Sequence, residues 1–281
     1  MKPHINAWAV NAALTILVAL FFIASIYIGR GGELLTDKFA LISQTDRDIA
    51  WLVLTEVRLP RALLGLLVGA TLGLTGAGLQ GLLRNPLAEP GLIGASGVAA
   101  LGAVLVFYSG LAAGTAMFVP VGGIAGALVA LAVLYLLAGR NPSIVTIILA
   151  GVAISAFTGA LTSLALNLSP SPYAALEIVF WMLGSLTDRS MTQVWFVLPF
   201  MGTGWLLVAS TYRALDALAL GEDTASTLGF SMRSVTARAI IGTGLAVGAA
   251  VSVTGVIGFV GLVVPHLMRP LVGQRPASML L

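Results

Sequence analysis

The sequence predicts an all-α integral membrane protein, a bundle of several membrane-spanning helices that forms one domain over residues 1–281. Of the 281 residues, 58% are hydrophobic and only 9% are charged, and the mean hydropathy is +1.03. A soluble domain carries about 25% charged residues. The apolar runs are spread along the whole length, and 33 glycines supply the small residues that closely packed membrane helices use. These observations favour one packed membrane domain over two soluble domains.

Eight segments are predicted to cross the membrane, counting about 20 apolar residues for each span. The first segment is predicted to be a retained span rather than a signal peptide. Its apolar stretch is long, its basic region is the single Lys2, and no small-x-small cleavage site follows. The third and the eighth segments are short for a span. The eight predicted spans are 8–28, 61–81, 92–108, 115–138, 143–166, 191–210, 236–256 and 258–272.

The loops between the spans predict the orientation of the chain. With the N-terminus inside, the loops 82–91, 139–142 and 211–235 and the C-terminal tail lie inside. Together with Lys2 at the N-terminus and with Arg238 and Arg269 near the inner ends of their spans, these inside segments carry eight of the 14 basic residues and four of the 11 acidic ones. Because basic residues favour the cytoplasmic side of a membrane, we expect a cytoplasmic N-terminus. The net charge of +3 is too small and too dispersed to indicate a nucleic-acid partner.

The second predicted span starts with a pair of cations on the outer side, where basic residues are disfavoured. Arg58 and Arg61 lie at i, i+3 on either side of Pro60. One interpretation is snorkelling, in which long basic side chains reach the lipid headgroups at little cost. The other is a small cationic patch, because residues three apart at a helix start face the same way. Such a patch suits the docking of an acidic partner.

A polar loop rich in proline follows the same span, and it contains Asn85, Pro86, Glu89, Pro90 and Gly91. Proline and glycine at membrane depth are tolerated only where protein or water satisfies the backbone. The loop therefore indicates a port through the membrane rather than a simple anchor.

The chain also contains an internal repeat. Residues 68–76 (VGATLGLTG) match residues 247–255 (VGAAVSVTG) without a gap, and the same offset pairs Pro86 with Pro265. The predicted topology runs the two copies in opposite directions across the membrane. The sequence therefore predicts an inverted repeat, which is typical of transporters whose pathway lies between the repeats.

The predicted inside loop 211–235 contains a short amphipathic segment. Gly221 precedes Glu222 and Asp223, and acidic residues favour the first turn of a helix. Ala225 and Leu228 are predicted to share one apolar face, with Gly229 closing the segment. An interfacial helix lying on lipid is one interpretation, but such helices usually carry basic residues on the polar face. The acidic tip favours a cleft in a partner protein.

No catalytic or cofactor-binding pattern is present. The sequence has neither a Gly-x-x-x-x-Gly-Lys-Ser/Thr phosphate loop nor a Gly-x-Ser-x-Gly elbow, and it has no cysteine. His266 has no second histidine at ligand spacing, so we predict that it packs or hydrogen-bonds near a helix end. The middles of the spans carry no charge, which disfavours a carrier driven by protons or sodium. The chain is predicted not to be an enzyme, and its energy source is expected on another subunit.

Taken together, these motifs resemble those of the permease subunit of the ABC importers for iron-siderophores, haem and vitamin B12, over residues 58–273. The resemblance implies the type II permease fold in a bacterial inner membrane. It implies three protein partners: an ATP-binding cassette ATPase, a periplasmic or lipoprotein substrate-binding protein, and a second permease subunit in a homodimer or heterodimer. A ferric siderophore is the expected cargo, with haem and cobalamin next, and no cofactor is expected.

The same resemblance assigns roles to the motifs. In that family the arginines equivalent to Arg58 and Arg61 meet acidic residues of the binding protein, and a cytoplasmic coupling helix, here 216–229, docks on the ATPase. A helix near residues 181–184 is expected along the outer mouth of the pathway. The residues assigned to coupling are Leu220, Gly221, Glu222, Ala225, Leu228 and Gly229, and those assigned to pathway or structural loop motifs are Asn85, Pro86, Glu89, Pro90, Gly91, Pro265, His266 and Arg269.

One further expectation and two alternatives stay open at the level of sequence. Members of that family usually have ten spans, so this sequence is expected to lack the last two. A secondary transporter or channel built on the inverted repeat, without an ATPase, is the alternative from another functional class. A non-functional membrane remnant is the third possibility.

Overall fold

The computed structural model describes residues 7–28, 44–115, 117–139, 143–169, 171–273 and 275–280. Lys2, residues 29–43 of the predicted outer loop 28–60, and residues 140–142 lie outside this part of the chain. Within it, the regular structure is helical and no β-strand occurs. The all-α fold predicted from composition is therefore confirmed.

The helices are named here in chain order. They are α1 (Ala7–Tyr27), α2 (Gln44–Leu52), a π-helical segment (Val53–Arg58), α3 (Leu59–Leu83), α4 (Ala95–Tyr108), α5 (Phe118–Ala138), α6 (Ile144–Asn167), α7 (Pro172–Met182), α8 (Met191–Ala209), α9 (Tyr212–Leu218), α10 (Glu222–Thr227), α11 (Met232–Thr254), α12 (Val260–Val272) and α13 (Pro276–Leu280), with 3-10 turns at Pro90–Ile93 and Leu111–Ala113.

Six helices in the described part of the chain are long and apolar enough to cross a membrane. They are Trp8–Tyr27, Arg47–Leu83, Phe118–Ala138, Ile144–Asn167, Met191–Ala209 and Met232–Thr254. The predicted third and eighth spans correspond to shorter helices, α4 with 14 residues and α12 with 13. Each is shortened at its start by residues with positive φ, Gly94 before α4 and Phe259 before α12.

The helix that contains the predicted second span starts well before residue 61. The helix that contains this span runs continuously over Arg47–Leu83, which is 37 residues. At 1.5 Å per residue it is about 55 Å long, well beyond the ~30 Å thickness of a hydrocarbon core. Its N-terminal part, which carries the charged residues Arg47, Asp48 and Glu56, therefore extends out of the apolar layer.

Two helices, α3 and α11, form the centre of the bundle. Helix α11 packs against α3, α5 and α8, and most of its residues from Ala239 onward are buried. Small residues allow this approach: a Cβ added at Gly248 would lie 2.2 Å from the Cβ of Ala127 on α5. Helix α1 is the least integrated of the long helices, because none of its most apolar 18 residues is buried.

The two copies of the sequence repeat lie in these two central helices. Thr75 and Thr254, which the repeat pairs, both donate their hydroxyl to the carbonyl four residues earlier, at 2.6 and 2.9 Å. The copies differ after this point: α3 continues to Leu83, whereas α11 ends at Gly255, where φ is +71°. The predicted inversion of the two copies stays a prediction.

Candidate functional site

Arg58 and Arg61 lie inside a long helix, not at its start. Pro60 has no N–H to donate, so the ordinary i→i−4 bond is missing at this position. The chain adapts with the π-helical segment before it, in which the Leu59 N–H reaches the Leu54 carbonyl five residues earlier. The predicted helix start at the Arg58–Arg61 motif is therefore replaced by a π-helical segment within a helix.

The Arg58 side chain is engaged inside the subunit. Its Nη1 donates to the carbonyl oxygens of Ile26 at 2.9 Å and Tyr27 at 2.8 Å. These carbonyls belong to the last turn of α1, where backbone acceptors have no partner within the helix and positive charge is favoured. Arg58 thus ties α1 to the helix that precedes α3.

Arg61 is in a different environment. It is exposed and lines a cavity of about 520 Å³ between α1 and α3. Its side chain makes no hydrogen bond or ion pair with any other residue that the structure describes. Of the two predicted docking cations, Arg61 is therefore the one that the described residues leave without a partner.

The loop after α3 is a compact, ordered turn. Helix α3 ends at Arg84, which has a left-handed φ of +48°, and the Asn85 Oδ1 then accepts a hydrogen bond from the Leu87 N–H at 2.9 Å. Pro90 starts a 3-10 turn and is buried, and a Cβ added at Gly91 would lie 3.1 Å from the Glu89 carboxylate. Asn85 fixes the first half of this loop and Pro90 the second.

Gln80 connects this loop to α12. No role for this residue was predicted from the sequence. Gln80 is buried, and its Nε2 donates to the Ala88 carbonyl at 3.2 Å and to the Leu262 carbonyl at 3.5 Å. Arg269 donates a hydrogen bond to the Gln80 Oε1. A single primary amide in an apolar span was the available signal, because buried amides need partners on both their oxygen and their nitrogen.

Helix α12 also contacts α3 directly through glycine. A Cβ added at Gly76 would lie 1.9 Å from the Gly261 carbonyl oxygen, and one added at Gly261 would lie 2.6 Å from Pro90. Pro265 is buried within α12, whereas His266 is exposed and makes no hydrogen bond within the described residues. The predicted packing or hydrogen-bonding role of His266 is therefore not seen.

The predicted coupling segment 216–229 consists of two short helices. Gly221, with a φ of +120°, separates α9 from α10, and Gly229 follows with a φ of +88°. Leu220 and Leu228 are 74% and 61% exposed, while Ala225 is fully buried. The expectation that Ala225 and Leu228 share one apolar face is wrong, because Ala225 packs into its own subunit and Leu228 faces outward.

The acidic tip of α10 lies at the far end of α3 from the arginines. Glu222 lines a cavity together with Leu82 and Arg84, at the C-terminal end of α3. Arg61 lies in the first turn of α3, so the two features are separated by about 30 Å along the helix axis at 1.5 Å per residue. This separation matches the thickness of a hydrocarbon core. The structure therefore places the two predicted docking surfaces at opposite ends of a membrane-spanning helix.

The short helix predicted near residues 181–184 is part of α7, which ends at Met182. Trp181 is buried, with its ring centroid 6.0 Å from that of Phe107. It lines a cavity of about 490 Å³ together with Asp188 and Arg189. Burial lowers the pKa of Arg189, and the neighbouring Asp188 opposes this shift. No group of three or more His, Cys, Asp or Glu residues that could hold a metal occurs in the described ranges.

Comparisons with known proteins agree with this architecture. Residues 16–281 match the FecCD transport family. The chain is 41% identical over 226 residues to the ABC transporter permease protein YvrB of Bacillus subtilis (strain 168), covering 79% of this chain and 64% of that protein. It is 36% identical over 257 residues to the vitamin B12 import system permease protein BtuC of Serratia proteamaculans (strain 568), covering 91% of this chain and 74% of that protein.

One solved structure gives the same picture in three dimensions. It is described as a metal-chelate type ABC transporter in an inward-facing conformation, and it superposes with a TM-score of 0.85 at 32% sequence identity. The match covers 97% of this chain and 84% of that chain. The chain spans about two thirds of YvrB and three quarters of BtuC.

Proposed function

Since this chain belongs to the FecCD transport family, we propose that it is the membrane permease subunit of an ATP-driven importer of metal chelates or related compounds. Ferric siderophores are the cargo that we place first, with haem and cobalamin next. In this proposal the chain lies in a bacterial inner membrane with its N-terminus in the cytoplasm. It works with a second permease subunit, an ATP-binding cassette ATPase and a soluble or lipid-anchored substrate-binding protein.

One observation carries the proposal: an acidic, exposed helix and an exposed cation occupy opposite ends of the same membrane-spanning helix. An importer needs one docking surface for the ATPase and another, across the membrane, for the binding protein. Glu222, Asp223 and Leu228 supply exposed charged and apolar groups on the inner side. Arg61, which pairs with no other described residue, supplies the charge proposed for the outer side.

The anchoring of α10 supports a role in transmitting force. Ala225 is fully buried, its carbonyl accepts the Phe230 N–H at 3.1 Å, and α10 packs against both α9 and α11. A push on the exposed side chains of α10 would therefore reach α11, which lies at the centre of the bundle. The sequence contains no phosphate loop of its own, so the proposal places ATP hydrolysis on the partner.

The two arginines of the outer surface have different roles in this proposal. Arg61 contacts an acidic residue of the binding protein, whereas Arg58 keeps α1 in place beside it. Because one exposed ion pair contributes only about 0–1 kcal/mol, Arg61 would steer association more than it would hold the complex together.

The test is to reconstitute the chain in proteoliposomes together with its partner ATPase and its substrate-binding protein. The double variant Glu222→Lys/Leu228→Lys should lose co-purification of the ATPase and ATP-driven uptake, yet insert into membranes as before. A matched control, Ala113→Lys/Thr115→Lys, adds two lysines to exposed residues between α4 and α5. Unchanged ATPase binding by the first variant, or uptake driven by a proton gradient without ATP, would reject the proposal.

A further inference from the structure

An apolar groove runs along the predicted inner end of three helices. It encloses about 380 Å³ between α5, α6 and α11, and its walls include Leu131, Leu134, Tyr135, Ile147 and Ile240. The α5 wall extends from Leu131 to Ala138, which is about 10 Å at 1.5 Å per residue. A single extended hydrocarbon chain of some eight carbons fits along such a wall.

Among the described residues, the charge on the groove lies at one end. Arg233, in the first turn of α11, and Thr236 line the groove and also line an adjoining cavity of about 500 Å³. Arg84 and Glu222 line that second cavity. The two arginines outnumber the single carboxylate, and the side chains of Arg84 and Arg233 make no hydrogen bond or ion pair with other described residues. The two cavities form one site with an apolar part and a positively charged part.

This combination matches the chemistry of a membrane lipid. An exposed guanidinium at a helix end lies at the level of the lipid headgroups, and basic pockets between spans on the cytoplasmic side bind anionic headgroups. A soluble anion would gain nothing from the apolar groove, and the lining is mostly aliphatic and aromatic residues, which suit a hydrocarbon chain better than the polar backbone of a peptide. The observations therefore favour an amphipathic ligand with a phosphate.

We propose that this site binds an anionic phospholipid of the inner leaflet. One acyl chain lies in the groove beside Leu134 and Ile240, and the phosphate lies against Arg233 with Arg84 on its other side. The bound lipid joins the ends of α6 and α11 next to Glu222. Occupancy then adjusts how firmly α10 is held. The lipid site itself does not depend on the proposed transport function.

The test measures lipid retention by purified protein. The permease is placed in nanodiscs of phosphatidylcholine with or without phosphatidylglycerol. It is then released from the nanodiscs, and native mass spectrometry counts the lipid molecules that remain bound to it. We expect the wild type to retain phosphatidylglycerol in preference to phosphatidylcholine. Arg233→Gln should weaken this binding about five-fold, the effect of roughly one cationic contact with an anionic lipid. Arg275→Gln, at an exposed arginine that lines neither cavity, should bind as the wild type does.

A second variant separates the two parts of the site. Ala237→Phe fills the groove beside the α11 backbone without changing charge, and it should also reduce phosphatidylglycerol retention. Competition by millimolar inorganic phosphate, or full binding by Ala237→Phe, would indicate a free-anion site and overturn the lipid assignment. Equal retention of both lipids, or wild-type retention by Arg233→Gln, would overturn it as well.

Discussion

Replacing Gly76 with alanine should loosen the contact between α3 and α12. The added Cβ would lie 1.9 Å from the Gly261 carbonyl oxygen and 2.8 Å from its Cα. A Cβ contact below 3.0 Å is essentially never seen, so the two backbones would have to separate by more than 1 Å. Both neighbours are main-chain atoms of a helix and cannot rotate away as a flexible side chain would.

Two opposing effects determine how much unfolding free energy the Gly76→Ala variant loses. Forcing extra volume into a packed core costs about 1–3 kcal/mol, while alanine is favoured over glycine in a helix interior by about 0.5–1 kcal/mol. The net loss for Gly76→Ala is therefore about 0–2.5 kcal/mol of unfolding free energy, with a middle value near 1 kcal/mol. Gly69→Ala on the same helix is the matched control, because a Cβ there meets nothing within 4 Å, and it should be neutral or stabilising.

Thermal unfolding in detergent, followed by the fluorescence of the five tryptophans, would measure both variants. Gly76→Ala should unfold at a lower temperature than the wild type, and Gly69→Ala should not. The strain should also reach Pro90, because Gly261 is packed against that ring, so uptake should fall together with stability. If the two variants unfold at the same temperature, the close approach of α3 and α12 is wrong.

Two further predictions concern the outer surface and the topology. Arg58→Gln should release the last turn of α1 and make it more sensitive to protease, whereas Arg61→Gln should leave α1 protected and slow association of the binding protein at low salt; the reverse result would contradict the roles given to the two arginines. In this cysteine-free chain, Ala113→Cys should react with an impermeant thiol reagent in intact spheroplasts and Thr227→Cys only after lysis. Labelling in the opposite order would invert the topology.

The ends of the long helices follow closely from the sequence. The predicted span 143–166 is α6, Ile144–Asn167, and the predicted span 191–210 is α8, Met191–Ala209. Both begin at a serine that caps the helix, since the Ser143 and Ser190 hydroxyls accept backbone N–H groups of the first turn. Where apolar length and a capping residue agree, the sequence is enough.

The N-terminal extension of α3 could not be found in the same way. Arg47, Asp48 and Glu56 make the stretch too polar for a span, and Pro60 suggests a helix start. Hydropathy detects only the part of a helix that lies in lipid, and the structure shows that the helix continues beyond it. The sequence also did not predict which side chains of the short helix α10 are buried. Ala225 is buried because of tertiary packing that no local pattern encodes.

The motifs of the candidate site were predicted from the sequence, but the hydrogen bonds between them were not. The two loop motifs and the acidic segment were recognised from residue types at their own positions. The two loop motifs are joined through Gln80, which bonds to Ala88 only eight residues away but also to Arg269, 189 residues away in sequence. Likewise, the engagement of Arg58 with α1 depends on which helix packs beside the end of α1, and local sequence does not specify that packing.

The π-helical segment before Pro60 has a consequence for the direction in which the outer tip points. Each residue of an α-helix advances the chain by about 100° around the axis, and a π turn accommodates extra chain within one turn. The exposed residues Arg47 and Asp48 therefore point to a different side from the one they would occupy on an unbroken α-helix. A change at Pro60 that restored regular α-helical bonding would swing this protruding tip around its axis while leaving the membrane-embedded half of the helix where it is.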